Sequence, residues 1–336
     1  MLRAGLIAGL LILLAACGRD DARKASAPAD IPAALSPRFY PPDGWAWGTF
    51  GEGKPQRYGV ASPRSAPSGI VVILPGYGEP AEVWFETASN LIARGHTVWI
   101  LDRPGQGGSA RYVPPHDLGF VPRFDTDSDG LQTFLASIVK PRPDDVVVVL
   151  AHADATPAAL LALGRGMKVD GLIANSAELA SAGDSPLLKV FQRPDVPPFG
   201  WRPWSEDRPD DRAIGLTHDR ERGRLRQTWM LAKPELRLSS PSLGWLEAFA
   251  TASREVGAKP ARLTAPILMV NPNRPASGLC DELAACRQEA LTGARAAIHL
   301  ETDQWREPWL EQVDDFVAQR VSAQQEAAIS AASPRP

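Results

Sequence analysis

The 336-residue chain has little net charge and lacks the patterns that mark nucleic-acid or metal binding. Its formal net charge is −3, and the 36 basic and 39 acidic residues are scattered along the sequence. The absence of a basic patch excludes the electrostatic footprint of a nucleic-acid-binding protein. No pair of histidines or cysteines has metal-ligand spacing, so the sequence predicts no metal site and no other cofactor.

The N-terminal residues have the layout of a secretory signal. Arg3 is followed by an apolar run over residues 6–14, which is too short to span a membrane comfortably. The run ends in Leu-Ala-Ala-Cys-Gly at residues 14–18 and resembles the lipobox of bacterial lipoproteins. This resemblance implies that residues 1–16 are removed and that Cys17 is lipidated, with Gly18 favouring an outer-membrane location. The acyl chains would then anchor the protein in the envelope membrane. The alternative is an ordinary cleaved signal with an incidental cysteine.

Cysteine is scarce, and its arrangement is typical of an exported protein. Of the three cysteines, Cys17 is assigned to lipid attachment. Cys280 and Cys286 remain, in an exported protein whose compartment allows disulfides to form. Two residues six apart on a continuous helix lie about 9 Å apart along the axis, so a disulfide requires that this segment bend. A Cys280–Cys286 disulfide is the favoured interpretation, and two free buried thiols are the alternative.

The remainder of the chain alternates apolar strand patterns with helical patterns. Residues 17–45 are rich in Ala and Pro and predict a flexible tether, and residues 321–336 predict a disordered tail. Between them, strands are predicted at residues 69–74, 97–101, 146–150, 171–174 and 266–270, and helices at 82–94 and 130–139. The alternation predicts one α/β domain over residues 46–320, with a mostly parallel doubly wound sheet. A change of pattern at about 184–259 predicts an inserted helical cap.

Several motifs carry a resemblance to a known family. They are Leu-Pro-Gly-Tyr-Gly-Glu-Pro at 74–80, Leu-Ile-Ala-Arg-Gly-His-Thr-Val-Trp at 91–99, Leu-Asp-Arg-Pro-Gly-Gln-Gly-Gly-Ser at 101–109, Leu-Thr-His-Asp at 216–219 and Pro-Glu-Leu-Arg-Leu at 234–238. In order and spacing they resemble the lysophospholipase and monoacylglycerol lipase branch of the α/β-hydrolases, also called serine aminopeptidase-like. The resemblance implies an α/β-hydrolase fold and a Ser-His-Asp triad for ester hydrolysis.

All three triad positions carry other residues in this chain. The family's nucleophile lies in Gly-x-Ser-x-Gly after a core strand, where this sequence has Ala-His-Ala-Asp-Ala at 151–155, so that Ala153 takes the serine position. The acid position falls in Asn-Pro-Asn-Arg after the last predicted strand, at Asn273. The base position falls in Gly-Ala-Arg-Ala at 293–296, at Ala296. A methyl group cannot attack a carbonyl, so the sequence predicts a degenerate triad.

Other parts of the family's site do not depend on side chains. The resemblance implies that the backbone N–H groups of Tyr77 and Asp154 form an oxyanion hole, which can still bind a carboxylate or carbonyl oxygen. The sequence therefore predicts a catalytically impaired protein that binds a lipid-like ligand or an envelope protein. The alternative is an active carboxylic-ester hydrolase that uses unrecognised residues, such as Asp154 as nucleophile with His299 as base. Ser109 also lies in a Gly-rich loop, but the family resemblance implies a structural role for it.

Overall fold

One sheet of eight strands organises the computed structural model, which describes residues 31–32, 35–179, 202–207, 215–272 and 278–332. The strands are β1 (Ala46–Phe50), β2 (Gln56–Ala61), β3 (Gly69–Leu74), β4 (His96–Leu101), β5 (Val147–His152), β6 (Gly171–Asn175), β7 (Ile267–Pro272) and β8 (Cys286–Leu291). They lie in the order β1-β2-β4-β3-β5-β6-β7-β8. Strand β2 is antiparallel to β1 and β4, and every other pairing is parallel. This is the mostly parallel sheet that the strand-helix alternation predicts.

Helices cover both faces of the sheet. They are α1 (Phe85–Ala93), α2 (Phe124–Phe134), α3 (Thr156–Gly164), α4 (Leu225–Ala232), α5 (Leu243–Ala258) and α6 (Asp303–Ala332). Val71 and Ile73 of β3 pack with α1, α4 and α6 on one face, and Val72 and Leu74 pack with α2, α3 and α5 on the other. Because both faces are covered, all six residues of β5 are buried, which explains its unbroken apolar run.

The apolar pattern predicts the central strands but not the outer ones. The predicted strands at 69–74, 97–101, 146–150, 171–174 and 266–270 match β3 to β7 to within two residues at each end. Strands β1, β2 and β8 are missed because each leaves residues half-buried or exposed, and β8 begins Cys-Arg-Gln-Glu. The helix predicted at 130–139 begins earlier, at Phe124, and residues 135–139 form a wider π-type turn.

The segment predicted as a cap is only partly separate from the sheet layers. Helices α4 and α5 both fall between β6 and β7, within residues 184–259. Trp245, Ala252 and Val256 of α5 are buried in the same cluster as α3. Helix α5 is therefore part of the layer that covers the sheet. The structure does not describe most of residues 184–214.

Part of each segment predicted to be flexible is ordered in the structure. The tether is expected to run to residue 45, but Leu35 and Phe39 are already buried in the core. The tail is expected from residue 321, but α6 continues to Ala332. Alanine and glutamine are good helix formers, so a polar and exposed segment can extend an existing helix without a buried face. Residues 1–30, including the predicted signal and Cys17, lie outside the described residues.

The predicted disulfide is present. Cys280 lies in a short 3-10 turn, Gly278–Glu282, and Cys286 begins β8, so the chain bends between them and the Cα atoms lie 5.0 Å apart. Within the described ranges, no helix combines the length and the apolar character needed to cross a membrane.

Candidate active site

The candidate site lies where the parallel strands β3 and β5 end. Leu74 pairs with Ala151 at the ends of these strands, so the loop after β3 and the turn after β5 lie side by side. The carboxyl ends of parallel strands are where α/β sheets place their binding loops. A cavity of about 210 Å³ opens between them. It is lined by Gly76, Tyr77, Glu79, Val83, His152, Ala153, Asp154, Glu178, Leu216, Arg222, Gly223, Arg226, Ala297 and Leu300.

The turn after β5 keeps the backbone of a nucleophile elbow. Ala153 follows the strand directly and adopts φ +49°, in the left-handed region that costs non-glycine residues about 1–2 kcal/mol. A short 3-10 turn, Ala153–Ala155, then leads into α3. The neighbours Ala151 and Ala155 are fully buried, so only small side chains fit on either side. The strained turn that exposes a nucleophile is therefore retained, and it presents a methyl group.

The carboxylate of Asp154 occupies one of the two predicted oxyanion donors. Its Oδ1 accepts a 2.7 Å hydrogen bond from the backbone N–H of Tyr77. Its Oδ2 accepts a 2.5 Å hydrogen bond from Nη1 of Arg103, whose Nε donates to Asp127 at 2.7 Å. We call Arg103, Asp127 and Asp154 the arginine cluster, and all three are buried. Burial opposes the charge of Arg103, but the two carboxylates hold its pKa above the usual value.

These contacts argue against Asp154 as a displaced nucleophile. Both of its carboxylate oxygens already accept short hydrogen bonds, one from a buried guanidinium. Ser109 is engaged in a similar way: its Oγ donates to the carbonyl of Asp102 and accepts from the N–H of Arg57. These contacts support the structural role expected for Ser109.

The loop at the predicted base position is held by a buried carboxylate. Ala296 is half-buried there, and the next residue, Ala297, lines the cavity. Glu301 accepts from the N–H of Arg295 at 2.6 Å, and from both the N–H and Nδ1 of His218 at 2.9 and 2.8 Å. Burial would raise the pKa of Glu301, but these donors lower it. The acid position, Asn273, directly follows β7 but lies outside the described residues.

A second group of ionisable side chains lies beside the elbow. Glu79, from the loop after β3, His152, the last residue of β5, and His299, from a 3-10 turn before α6, place their ligand atoms within 4.8 Å of one another. We call these three residues the imidazole cluster. Glu79 Oε1 lies 3.6 Å from Nε2 of His152 and 3.4 Å from Nε2 of His299. The indole of Trp84 stacks on His299 with the ring centroids 3.8 Å apart.

Burial and charge shift the pKa values of this cluster. Burial lowers the pKa of His299 to about 4, against the attraction of Glu79. For Glu79, burial alone would raise the pKa, but the two imidazoles hold it well below its usual range. From the sequence, His299 is only an alternative base, and neither Glu79 nor His152 is predicted as a site residue. The available signal was the position of Glu79 and His152 at the ends of neighbouring parallel strands.

Comparisons with known proteins agree with the fold and the motifs. A family model described as serine aminopeptidase, S33, matches residues 65–274. Lysophospholipase L2 of Escherichia coli strain K12 is 29% identical over 280 residues, which cover 74% of this chain and 79% of that protein.

Solved structures resemble the chain at lower sequence identity. A lipase in its open form superposes with a TM-score of 0.64 at 18% identity, covering 82% of this chain and 99% of that one. A soluble variant of monoglyceride lipase from Saccharomyces cerevisiae, bound to a substrate analog, superposes with a TM-score of 0.62 at 13% identity, covering 82% and 94%. At such identities the likeness concerns the fold.

Proposed function

Since the chain belongs to the serine aminopeptidase, S33, family and is an α/β-hydrolase of the lysophospholipase and monoacylglycerol lipase branch, we propose that it binds a lipid-like ligand without hydrolysing it. Its matched relatives include a lysophospholipase and a monoglyceride lipase, which suggests a ligand with one acyl chain. Apolar side chains of Val83, Leu216, Ala297 and Leu300 in the cavity lining support this choice. We further propose that Cys17 anchors the protein in the envelope.

The position of the Asp154 carboxylate is the main observation that supports a loss of hydrolysis. A tetrahedral intermediate needs N–H donors aimed at its oxyanion, and here the Tyr77 N–H already donates to Asp154 at 2.7 Å. A negative charge at this position also repels a developing oxyanion. Beside it, Ala153 offers no hydroxyl at the elbow. Ala153 thus lacks the nucleophile that the family's reaction needs, and Asp154 occupies one of the oxyanion donors.

Activity-based labelling tests the loss of hydrolysis. The full-length protein in detergent is incubated with a fluorophosphonate probe and with short-chain p-nitrophenyl esters, with lysophospholipase L2 as the active control. We expect no labelling and no turnover above the buffer rate. Labelling or turnover that persists in Ser109→Ala would show that unrecognised residues perform the reaction.

Binding of a short-chain lysophospholipid below its critical micelle concentration tests the ligand. We expect Leu216→Arg to weaken binding by about 10-fold or more, because the substitution puts a charge against an acyl chain in the cavity lining. Leu231→Arg is the matched control, since Leu216 and Leu231 are 43% and 45% exposed and Leu231 does not line the cavity. Equal effects of the two substitutions would contradict the proposed site.

Membrane fractionation tests the anchor. Cys17→Ser is expected to release the protein from the membrane fraction because it removes the acyl chains. Ser26→Ala, in the same N-terminal segment, is expected to remain with the membrane. A Cys17→Ser protein that stays membrane-bound in high salt would contradict lipid attachment.

A further inference from the structure

The imidazole cluster places both histidines near a carboxylate at distances longer than a usual hydrogen bond. The two Nε2 atoms lie 3.4 and 3.6 Å from Glu79 Oε1, beyond the usual 2.7–3.2 Å range of an N–H···O bond, about 3 Å at its mode. Two other histidine–carboxylate pairs of this chain form hydrogen bonds of normal length. A ring nitrogen of His96 lies 2.7 Å from Asp314, and one of His218 lies 2.8 Å from Glu301. Among the described residues, neither ring nitrogen of His299 has a hydrogen-bond partner, although the side chain is fully buried. A buried imidazole in this condition indicates a missing partner.

The separations suit a metal ion placed between the three donor atoms. Around a tetrahedral Zn²⁺ with bonds of about 2.0–2.1 Å, neighbouring donor atoms lie about 3.3 Å apart. The two distances from Glu79 Oε1, 3.6 and 3.4 Å, are close to this value. Two histidines and one carboxylate are also a ligand set that zinc uses in catalytic sites.

Hydrogen bonds from neighbouring groups orient the ligand atoms, as they do around the ligands of known metal sites. Glu79 Oε2 accepts from the N–H of Gly76 at 3.2 Å and from Nε1 of Trp84 at 3.1 Å, which leaves Oε1 facing the histidines. Nδ1 of His152 lies 3.1 Å from both the carbonyl oxygen and the side-chain Nδ2 of Asn175. Metal binding at Nε2, the atom that faces Glu79, selects the tautomer in which Nδ1 donates to the carbonyl.

The cluster is buried on one side and open on the other. His299 lies against Trp84, while Glu79 and His152 line the cavity beside Ala153. Three protein ligands with an open position are typical of zinc sites that bind water or an exchangeable oxygen donor. We propose that Glu79 Oε1 and the Nε2 atoms of His152 and His299 bind a divalent transition-metal ion, best matched by Zn²⁺, with one coordination position open to the cavity.

This site goes beyond the proposed function and does not depend on it, since no triad position supplies a ligand. Sequence spacing could not reveal it because the three ligands come from loops and strand ends far apart in the chain. With Cys280 and Cys286 in a disulfide, their thiols do not compete for the metal.

Metal titration of the full-length protein in detergent, after dialysis against a chelator, tests the proposal. We expect calorimetry to show one Zn²⁺ per chain with a micromolar or tighter Kd, and Co²⁺ to give the visible absorption bands of a site with four or five ligands. Glu79→Gln and His152→Gln are expected to weaken binding at least about 100-fold, because the first removes the negative charge of the carboxylate ligand and the second removes the imidazole ligand. His218→Gln, which breaks a closed histidine–carboxylate pair, serves as the matched control and is expected to keep wild-type affinity.

Three outcomes would overturn the site. They are no saturable Zn²⁺ binding by the wild-type protein, binding that survives both substitutions, and a purely octahedral Co²⁺ spectrum typical of adventitious surface carboxylates. The spectrum is measured on the wild-type protein, so the proposal stays testable even where a variant does not fold. Fluorophosphonate labelling has no bearing on any of these results, so failure of the proposed function and failure of the metal site are distinguishable.

Discussion

The arginine cluster and the imidazole cluster lie at the same edge of the sheet and are built in opposite ways. In the first, a buried guanidinium closes on two carboxylates at 2.5 and 2.7 Å, and one carboxylate also takes a backbone N–H. In the second, a carboxylate stands 3.4 and 3.6 Å from two imidazoles. The Asp154 carboxylate and the Tyr77 N–H satisfy each other, whereas the ring nitrogens of His299 have no hydrogen-bond partner among the described residues. The Tyr77 N–H is therefore occupied in the arginine cluster, whereas His299 of the imidazole cluster lacks a close partner.

Removing the guanidinium should have the largest effect on this contrast. Arg103→Met leaves the buried carboxylates of Asp127 and Asp154 without a counter-charge, and we expect the free energy of unfolding to fall by about 3–5 kcal/mol. Urea unfolding followed by circular dichroism measures it. Arg123→Met is the control, because the Arg123 side chain is 77% exposed and its ion pair with Asp125 should contribute about 0–1 kcal/mol. Similar losses in the two variants would show that the arginine cluster is not tightly paired.

Removing the Asp154 carboxylate should free the Tyr77 N–H, one of the two expected oxyanion donors. We expect the triple variant Ala153→Ser, Asn273→Asp, Ala296→His to remain nearly inactive on p-nitrophenyl esters, because Asp154 still blocks the Tyr77 N–H. Adding Asp154→Met should raise the rate about 10²-fold, the typical contribution of one oxyanion donor.

Glu178→Met in the triple variant is the matched control, since it also removes a carboxylate from the cavity lining but makes no bond to the Tyr77 N–H. A triple variant as active as the quadruple one would show that Asp154 does not block the site.

Glu301, a buried carboxylate outside both clusters, provides a comparison through the pH dependence of stability. Several N–H donors bind the Glu301 carboxylate, and its pKa is therefore lower in the folded protein than the unfolded value of 4.5. Its contribution to stability is present above pH 4.5 and is lost as the pH falls through the lower folded pKa. We expect Glu301→Gln to reduce the free energy of unfolding by about 2 kcal/mol at pH 7, and the difference from wild type to shrink as pH falls below 4.5. Exposed Glu235→Gln is the control, and a pH-independent difference for Glu301→Gln would contradict the assignment.

The smallest effect concerns the backbone of the elbow. Ala153→Gly should raise the free energy of unfolding by up to about 1 kcal/mol, because glycine adopts φ +49° without strain and this gain exceeds its entropic penalty. Ala155→Gly is the matched control at φ −73°, where no strain is relieved and the loss of a fully buried methyl group should destabilise by about 1 kcal/mol. Thermal unfolding measures both, and a loss of stability in Ala153→Gly would argue against a strained turn.

Much of the fold could be predicted because the central strands are buried on both faces and read as apolar runs, as β5 does. The edge strand β8 could not, since five of its six residues are half-buried or exposed and its polar residues carry no strand signal. Within the site, the assignment of Ala153 and Ala296 to the nucleophile and base positions rests on the motifs and stays a prediction. Assignments at Cys17 and Asn273 stay predictions, because both residues lie outside the described structure.

The sequence by itself determined which side chains stand at the family's motif positions, because position in a motif is a local property of the chain. Only the tertiary structure decided which groups meet. Asp154 reaches Tyr77 because β3 and β5 are neighbours in the sheet, and Arg103 reaches Asp154 from the end of β4. Glu79, His152 and His299 likewise converge from three separate loops and strand ends. Their hydrogen bonds depend on strand order and register, which residue identity does not specify.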